Sequence, residues 1–578
     1  MNTFGIIKRL LKYTKPYRGF LIGAILCALI SVTLTIFAPI LIGNAIDYII
    51  GPDNVNYGEI LKIIIILAIT IILSSIFQWL LTFCTNILSF KTVRDLRKDA
   101  FYTINSIPLK YIDSNAHGDI LSRIVTDIDQ ISEGVLQGFT QLFVGLVTII
   151  DTIIFMLYVN VNIAIVVILL TPLSLFVATF ISKHIHSKFT AQSQIRGEMT
   201  GFVEEIVGNQ KIVKAFSYEE HNQNDFEEIN DRLYDVGVKA QFFSALANPT
   251  TRFVNGVVYA VVGITGALSV INHGLTVGQL SMFLQYANQY TKPFNEVSSV
   301  FTELQSALAS AKRVFSFIDT PHESSDEYAM DLKSCDGTID INNVSFSYNP
   351  EIPLIQNLNL AVKSGQKIAI VGPTGCGKTT FINLLMRFYD VTDGEIKVSG
   401  IGINDIKRSS LRSLYGMVLQ DTWLFTGTVK ENIAFGKEDA TDEEIIAAAK
   451  SAHAHSFIKR LPNGYDTVIS EDGGNISQGQ KQLLSIARIM LTKPPMLILD
   501  EATSSIDTRT ELRIQKAFAK IMQGRTSFIV AHRLSTIEEA DVILVMNKGN
   551  IIEQGTHKEL LEKGGFYAKL YNSQFANR

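Results

Sequence analysis

The stretch that decides the fold of the second half of the chain runs Gly372-Pro373-Thr374-Gly375-Cys376-Gly377-Lys378-Thr379. It fits the phosphate-loop pattern GxxxxGK[ST], in which glycines let the backbone curl so that its N–H groups face phosphate oxygens. A helix expected from Thr380 adds its positive N-terminal end. Lys378 is expected to neutralise phosphate oxygens, and the Thr379 hydroxyl to ligate Mg²⁺. Residues 372 and 374–380 are therefore the predicted phosphate-binding residues.

A second constellation, Met496-Leu497-Ile498-Leu499-Asp500-Glu501, is an apolar run that ends in two carboxylates. Asp500 suits coordination of Mg²⁺ through water, and Glu501 suits polarising an attacking water. Alone, two acids after a strand are more simply interpreted as solvated side chains. Together with the phosphate loop they predict a site that hydrolyses ATP with Mg²⁺.

Short apolar runs surround both constellations and predict an α/β domain. Lys367 to Val371 leads into the phosphate loop, and Met496–Leu499, Ser527–Val530 and Val542–Met546 are similar runs with helical stretches between them. This alternation is typical of a mostly parallel sheet. The composition changes near Asp319, so we expect a linker over residues 320–337 and a nucleotide-binding domain over 338–578.

Residues 1–319 are of a different kind, because they contain uncharged runs long enough to cross a bilayer, which takes about 20 apolar residues. They predict a six-span α-helical membrane domain in contact with lipid. The predicted spans are Gly19–Ile46, Ile63–Phe90, two within Val135–Ser182 with a break at Asn160–Asn162, Phe253–Asn272, and Gly274 to about Glu303. The net charge of −4 gives no electrostatic support for a nucleic-acid partner.

Basic residues are sorted to alternate connections of these spans. Residues 51–59, 159–162 and 272–275 contain no Lys or Arg, whereas the N-terminus and the segments after the second and fourth spans are basic. Because cytoplasmic loops carry the excess of positive charge, both termini and the ATPase domain are expected in the cytoplasm, with the spans in the cytoplasmic membrane. A large soluble helical core would not sort its charges in this way.

Further motifs give the chain a specific resemblance to ATP-binding cassette (ABC) exporters of the half-transporter type, over nearly its whole length. The motifs that carry it are Tyr348 in Phe346-Ser347-Tyr348, Gln420 in Val418-Leu419-Gln420-Asp421, Ser477-Gln478-Gly479-Gln480, Ser504-Ser505-Ile506-Asp507, and His532 in Ala531-His532-Arg533. The resemblance implies that Tyr348 stacks on adenine and that Gln420, a Mg²⁺ ligand, serves catalysis with Glu501 and His532.

The resemblance also implies a dimer of two cassettes, with the signature residues Ser477, Gly479 and Gln480 covering the nucleotide of the partner. It implies ATP-driven export of a drug, lipid or peptide by alternating access. The tips of the long cytoplasmic helices, near Asp113–Asp119 and Val213–Glu220, are expected to transmit the motion. The alternative is an ATP-gated regulatory or channel-like protein, against which Glu501 and His532 argue, since gating alone does not require hydrolysis.

The signature departs from the family pattern in two places. Gln478 stands where glycine is usual, and Glu471-Asp472-Gly473 replaces a pattern with a basic middle residue. The chain therefore resembles the catalytic half of a heterodimer, which lends an altered surface to a second half-transporter. A homodimer in which the Gln478 side chain turns away from nucleotide is the alternative.

Three features leave their interpretation open. Asp151 in the third span is either a functional carboxylate or a residue paired with a polar neighbour. The aromatic stripe in the sixth span is more simply helix packing than a wall of a drug site; it comprises Phe283, Tyr286, Tyr290 and Phe294, with Gln285 and Gln289 beside it. Cys376, near a helix N-terminus and Lys378, is predicted to be a reactive thiol.

Overall fold

The computed structural model describes residues 2–49, 55–272, 274–419, 422–470, 476–500, 507–530 and 534–574. It divides into two compact units. The first comprises Met1–Ile107 and Asn115–Pro321, and the second comprises Pro108–Ser114 and His322–Arg578. The short segment Pro108–Ser114, which sequence reasoning placed in the membrane domain, thus groups with the second unit.

The first unit is helical throughout. Its helices are α1 Thr3–Thr14, α2 Arg18–Asp47, α3 Tyr57–Ile104, α5 His117–Ile124, α6 Thr126–Ile131, α7 Gly138–Val159, α8 Val161–Gly208, α9 Gln210–Ala215, α10 Glu219–Ile271 and α11 Val277–Ile318, and the short α4 Leu109–Ser114 belongs to the second unit. A short 3₁₀ turn at Lys15–Tyr17 and a π-helical turn at Ser132–Gln137 join their neighbours.

Long helices occupy the six places where spans were predicted: α2, α3, α7, α8, α10 and α11. Within the described residues, four stretches are long and apolar enough to cross a membrane: Thr3–Asp47, Tyr57–Ile104, Thr140–Val159 and Arg252–Ile271. The helix α3 has 48 residues, or about 72 Å at 1.5 Å per residue, which exceeds the thickness of a bilayer. Extension of the helices beyond the membrane was predicted from the sequence.

Polar side chains set the ends of the spans. Asn160 caps α8 by accepting hydrogen bonds from the backbone N–H of Asn162, at 3.0 Å, and of Ile163, at 3.3 Å, which produces the break predicted there. Thr276 caps α11, and its hydroxyl also donates to Asp47 at the end of α2, at 2.6 Å. The two connections are therefore fixed by hydrogen bonds, one set local and one reaching from α11 to α2, and not by apolar packing alone.

The second unit alternates strands and helices. The strands are β1 Ile339–Phe346, β2 Ile355–Val362, β3 Lys367–Val371, β4 Asp393–Val398, β5 Ile401–Gly402, β6 Tyr415–Val418, β7 Gly427–Thr428, β8 Val468–Ile469, β9 Met496–Asp500, β10 Thr526–Val530, β11 Val542–Asn547 and β12 Asn550–Gly555. The helices are α12 Lys378–Leu385, α13 Arg408–Ser413, α14 Val429–Ala434, α15 Asp442–Ser451, α16 His455–Ile458, α17 Gln478–Thr492, α18 Thr508–Met522, α19 Leu534–Glu538, α20 His557–Glu562 and α21 Phe566–Gln574.

The main sheet has the order β12-β11-β3-β10-β9-β6, parallel except for β12 at one edge. Successive residues of its strands enter two hydrophobic clusters, so that Ala369 and Leu497 pack on one face and Ile368 and Ile498 on the other. Burial on both faces explains why these strands are continuous apolar runs in the sequence. A second, antiparallel sheet, β2-β1-β4-β5, was not predicted.

Candidate nucleotide-binding and hydrolysis site

The phosphate loop joins the end of β3 at Val371 to the start of α12 at Lys378. Gly377, the cap of α12, has φ +103°, a conformation that favours glycine. At Gly372 a Cβ atom would collide with the backbone carbonyl of Met546, and it would lie 2.7 Å from Sγ of Cys376. Glycine is therefore required at both positions for the loop to take its curled conformation.

The ammonium group of Lys378 lies over this loop. Its Nζ donates hydrogen bonds to the carbonyl oxygens of Gly372, at 2.8 Å, and of Pro373, at 3.1 Å. Thr374, Gly375 and Thr379 are exposed. The loop thus presents a positive charge, the N-terminal end of a helix and an open edge, which fit the phosphates of ATP.

Thr380 and Cys376 take different places from the exposed members of the loop. Thr380 is buried, and its hydroxyl oxygen accepts a hydrogen bond from the Tyr348 hydroxyl at 3.3 Å. Cys376 is only 3% exposed and packs in the hydrophobic cluster beneath the loop. This burial contradicts the expectation of a reactive thiol at Cys376.

Tyr348 stands at the edge of this site with 41% of its surface exposed. Its ring makes edge-to-face contacts with Phe346, at 4.9 Å between centroids, and with Tyr389, at 5.0 Å. These contacts and the bond to Thr380 hold the ring in place while leaving part of it open. That arrangement suits stacking on a planar base.

The catalytic residues predicted from sequence follow the carboxyl ends of neighbouring parallel strands. In the register of the sheet, Val530 of β10 pairs with Asp500 of β9 and with Ile370 of β3, one residue before the phosphate-loop strand ends. Asp500 is thus at the same edge as the loop, where ligands bind in open α/β sheets. Glu501, His532 and Gln420 follow β9, β10 and β6 in the sequence and lie outside the described residues.

The signature segment begins α17. Ser477 is its N-cap and forms a capping box with Gln480: the Ser477 oxygen accepts from the Gln480 N–H at 3.4 Å, and the Gln480 side chain accepts from the Ser477 N–H at 2.9 Å. Gln478, the first helical residue, is exposed, and Gly479 is buried. The Gln480 side chain is thus engaged in its own helix cap. Glu471, Asp472 and Gly473 lie outside the described residues.

Arg488 anchors the same helix from below. Its guanidinium donates to the Trp423 carbonyl at 2.9 Å and to Oδ1 of Asn432 at 2.7 Å. Burial lowers the pKa of Arg488 to about 10. These hydrogen bonds hold α17 at a point ten residues along the chain from Gln478, and neither of them involves the Gln478 side chain.

Tyr389 joins the site to the helix α4 and was not identified from the sequence. Its hydroxyl donates to the carboxylate of Asp113, and its ring contacts Tyr348. Burial first, and then the hydrogen bond to Asp113, raise the pKa of Tyr389 above its usual value. Leu109 of α4 also packs against the cluster beneath the phosphate loop. No local pattern could have found this contact, because 276 residues separate Tyr389 from Asp113.

Contacts in the membrane domain bear on two interpretations that the sequence leaves open. Asp151 accepts a hydrogen bond from the Thr33 hydroxyl at 2.8 Å, as expected of a carboxylate paired with a polar neighbour. Phe283, Tyr286 and Tyr290 are buried in the helical core, and the Tyr286 hydroxyl donates to the Ile36 carbonyl at 3.0 Å. The aromatic stripe is therefore helix packing.

Together, the fold and this site define a phosphate-loop ATPase fused to a helical membrane domain. The family described as "ABC transporter transmembrane region" matches residues 21–294, and the family described as "ABC transporter" matches residues 355–504. The chain belongs to the ABC transporter family, as an exporter whose ATPase is coupled to transport.

Individual relatives align over almost the whole chain. The chain is 40% identical to the "Uncharacterized ABC transporter ATP-binding protein YfiC" of Bacillus subtilis (strain 168), covering 99% of this chain and 95% of that protein. It is 36% identical to the "Fatty acid ABC transporter ATP-binding/permease protein" of Mycobacterium tuberculosis (strain CDC 1551 / Oshkosh), covering 98% of this chain and 96% of that protein. The solved structure of a bacterial Atm1-family ABC exporter with ATP bound matches this chain with a TM-score of 0.78 at 28% sequence identity. The match covers 96% of this chain and 98% of that one.

Proposed function

We propose that the chain is the catalytic half of a heterodimeric exporter that moves a hydrophobic or amphipathic compound out across the cytoplasmic membrane. The observation that carries the proposal is the phosphate loop, formed in the same chain as the apolar helices. The basic N-terminus and the basic segments after the second and fourth spans support a cytoplasmic ATPase domain. We place the domain boundaries at residues 319 and 338, with a linker between.

The residues of the site support specific roles. Lys378 and the loop N–H groups hold the β- and γ-phosphates, and Tyr348 stacks on adenine. Thr379 and Asp500, with Gln420, fit a Mg²⁺ ion, which takes few protein ligands besides water and phosphate oxygens. When bound, Mg²⁺ neutralises charge on the phosphates. Glu501 polarises the attacking water, and His532 contacts the γ-phosphate.

The signature supports the heterodimer. The exposed Gln478 begins α17 at the point where a partner's nucleotide would be covered. A bulky amide there is of no use in two identical sites, whereas in a heterodimer it lies only over the partner's nucleotide. The partner's own signature then completes the site that contains Glu501.

Substrate chemistry is supported by the relatives. One of them is described as a fatty acid transporter, so we propose that this chain also handles a molecule with a long apolar part. Drug-like and lipid-like substrates share this property, and both would partition into the membrane before they reach the protein.

The test is transport into inside-out vesicles that contain the chain and its copurifying subunit. We expect ATP-dependent accumulation of at least one amphiphile among radiolabelled hexadecanoate, a short-chain phospholipid and a hydrophobic dye, and none with Glu501→Gln. Accumulation that survives Glu501→Gln, or an ion conductance opened by ATP binding alone, would contradict the proposal.

The heterodimer is tested separately by expressing the chain alone and with the copurifying subunit. Full ATPase activity of the lone chain, stimulated by substrate, would show a homodimer. Activity that returns only with a partner whose own cassette has no carboxylate equivalent to Glu501 would support the heterodimer.

A further inference from the structure

A cavity of about 600 Å³ opens inside the first unit, between α2, α3, α7 and α11. Its volume lies within the usual range for small-molecule sites. Apolar residues such as Leu81 form part of the wall, and the side chains with polar ends include Gln78, Asn86, Gln141, Gln289 and Lys292. We call this cavity the chamber.

Most hydroxyl groups that line the chamber already donate hydrogen bonds within the protein. Thr85 donates to the Leu81 carbonyl and Thr148 to the Val144 carbonyl, each at 2.8 Å within its own helix. The amide groups differ, because neither Asn86 nor Gln141 has a side-chain partner among the described residues. The chamber therefore retains unused N–H donors.

Gln289 gives a second sign of unfilled binding capacity. Its side-chain oxygen is buried and has no hydrogen-bond partner within the described part of the chain. A buried acceptor without a donor is costly, and such atoms in native proteins usually meet water or a donor group. This oxygen therefore indicates space for water or a ligand in the chamber, but it does not itself bind anionic oxygens.

Lys292 supplies the charge. It is the one charged residue among the described residues that line the chamber, and no described carboxylate pairs with it. Its side chain is exposed, and it follows Thr276, the cap of α11, by 16 residues, or about 24 Å of helix, which is inside a hydrocarbon core of about 30 Å but toward the end away from Thr276. An ammonium group in this region is costly unless it reaches water or a counter-charge.

We propose that the chamber receives the acidic head group of an amphipathic substrate, with Lys292 as its counter-ion and the amides of Asn86 and Gln141 as hydrogen-bond donors. The inference rests on the proposed export function, whose substrate class it specifies. The chemistry recognised is a cluster of anionic oxygens on an alkyl chain, either a fatty carboxylate or a lipid phosphate. A chamber built for cations would carry a carboxylate, and the described lining has none.

The test is direct binding without nucleotide, in phosphatidylcholine nanodiscs that contain the full chain and its copurifying subunit. The probes are hexadecanoate, hexadecyl phosphate and hexadecanol, which share one alkyl chain. At least one anion is expected to bind about tenfold more tightly than the alcohol, the size of one charge-assisted hydrogen bond. Lys292→Gln removes this preference and Lys292→Arg keeps it. Lys312→Gln, an exposed lysine of the same helix, is the matched control and keeps it.

A competing role for Lys292 is tested by Glu296→Gln, since Glu296 follows Lys292 by one helical turn in the sequence. If Lys292 and Glu296 form a pair that only maintains the local structure, either substitution breaks the pair, so Glu296→Gln will remove the preference as Lys292→Gln does, and the proposal is overturned. Our proposal predicts that Glu296→Gln retains or increases it. Equal binding of anions and alcohol by the wild type also overturns the proposal.

The remaining outcomes separate the two proposals. Preference for hexadecanoate alone assigns a carboxylate substrate, and preference for hexadecyl phosphate alone assigns a lipid phosphate. Charge-selective binding without ATP-dependent transport would support the chamber and contradict export. If amphiphiles are exported at the same rate whatever their charge, and Lys292→Gln does not change that rate, the export function is supported and the binding of an acidic head group in the chamber is contradicted.

Discussion

The phosphate loop and the signature end of α17 contribute to the same chemistry, yet their sequences are constrained in different ways. In the loop, Gly372 and Gly377 are required by a close approach of backbone and by a positive φ, so substitution there changes the fold of the loop. At α17, the capping box of Ser477 with Gln480 and the anchor of Arg488 fix the helix whatever residue stands at position 478. The residue at position 478 can therefore vary without loss of structure, so a substitution such as Gln478 can change function alone.

The largest effect is expected on the loop side. Glu501→Gln should leave ATP binding intact and lower hydrolysis by at least ~10²-fold, because it removes a positioned base. The measurement is steady-state ATPase activity with nucleotide affinity in the assembled transporter. Glu562→Gln, at an exposed acid of α20, is the control. ATP turnover near the wild-type rate in Glu501→Gln would show that Glu501 is not the catalytic base, and that the phosphate-loop side and the signature end of α17 do not differ as proposed.

A smaller effect is expected at the adenine edge. Tyr348→Ala should weaken ATP binding about tenfold, because stacking of an aromatic side chain on a base contributes roughly 1–3 kcal/mol. Tyr348→Phe should bind nearly as tightly as the wild type, since the hydroxyl makes only a 3.3 Å bond to Thr380. Equilibrium binding of a fluorescent ATP analogue checks both variants. Equal affinity of the Ala variant and the wild type would exclude stacking.

The next effect is expected at Tyr389, on the stimulation of ATP hydrolysis by substrate and not on hydrolysis itself. Tyr389→Phe keeps the ring against Tyr348 but removes the hydrogen bond to Asp113. Substrate stimulation of ATPase activity should fall about threefold, within the 0.5–1.5 kcal/mol typical of one hydrogen bond, while basal activity is unchanged. Asp113→Ala, which removes the acceptor, is the partner variant, and the double variant should be no worse than either one. Additive losses would show that the two residues act separately.

The smallest effect is expected at the signature end of α17. In the proposed heterodimer, Gln478→Gly should change total ATPase activity by less than about twofold, because this surface covers only the nucleotide site that turns over slowly. In a homodimer the same substitution alters both active sites. A large rise or fall in activity of the assembled transporter would therefore contradict the asymmetric division of labour.

Some of the fold was predictable because its causes are local. β3, β9, β10 and β11 are buried on both faces and read as continuous apolar runs, and the prediction of these strands is confirmed. The break at Asn160 and the start of the last span are set by caps within three residues. The antiparallel sheet was not predicted because its two longest strands, β1 and β2, are partly exposed and contain two asparagines each, so they lack the continuous apolar run that marks the buried parallel strands.

The sequence by itself determined the phosphate loop, since steric limits at its glycines and the charge of Lys378 act within a few residues. It also determined the class of protein, through motifs that each consist of adjacent residues. Only the tertiary structure decided that Cys376 is buried, that Tyr389 bonds Asp113, and that Lys292 shares a chamber with Asn86 and Gln141. The physical reason is that such contacts depend on how each helix is rotated and packed, and nearly uniform apolar helices carry little periodic signal of that rotation.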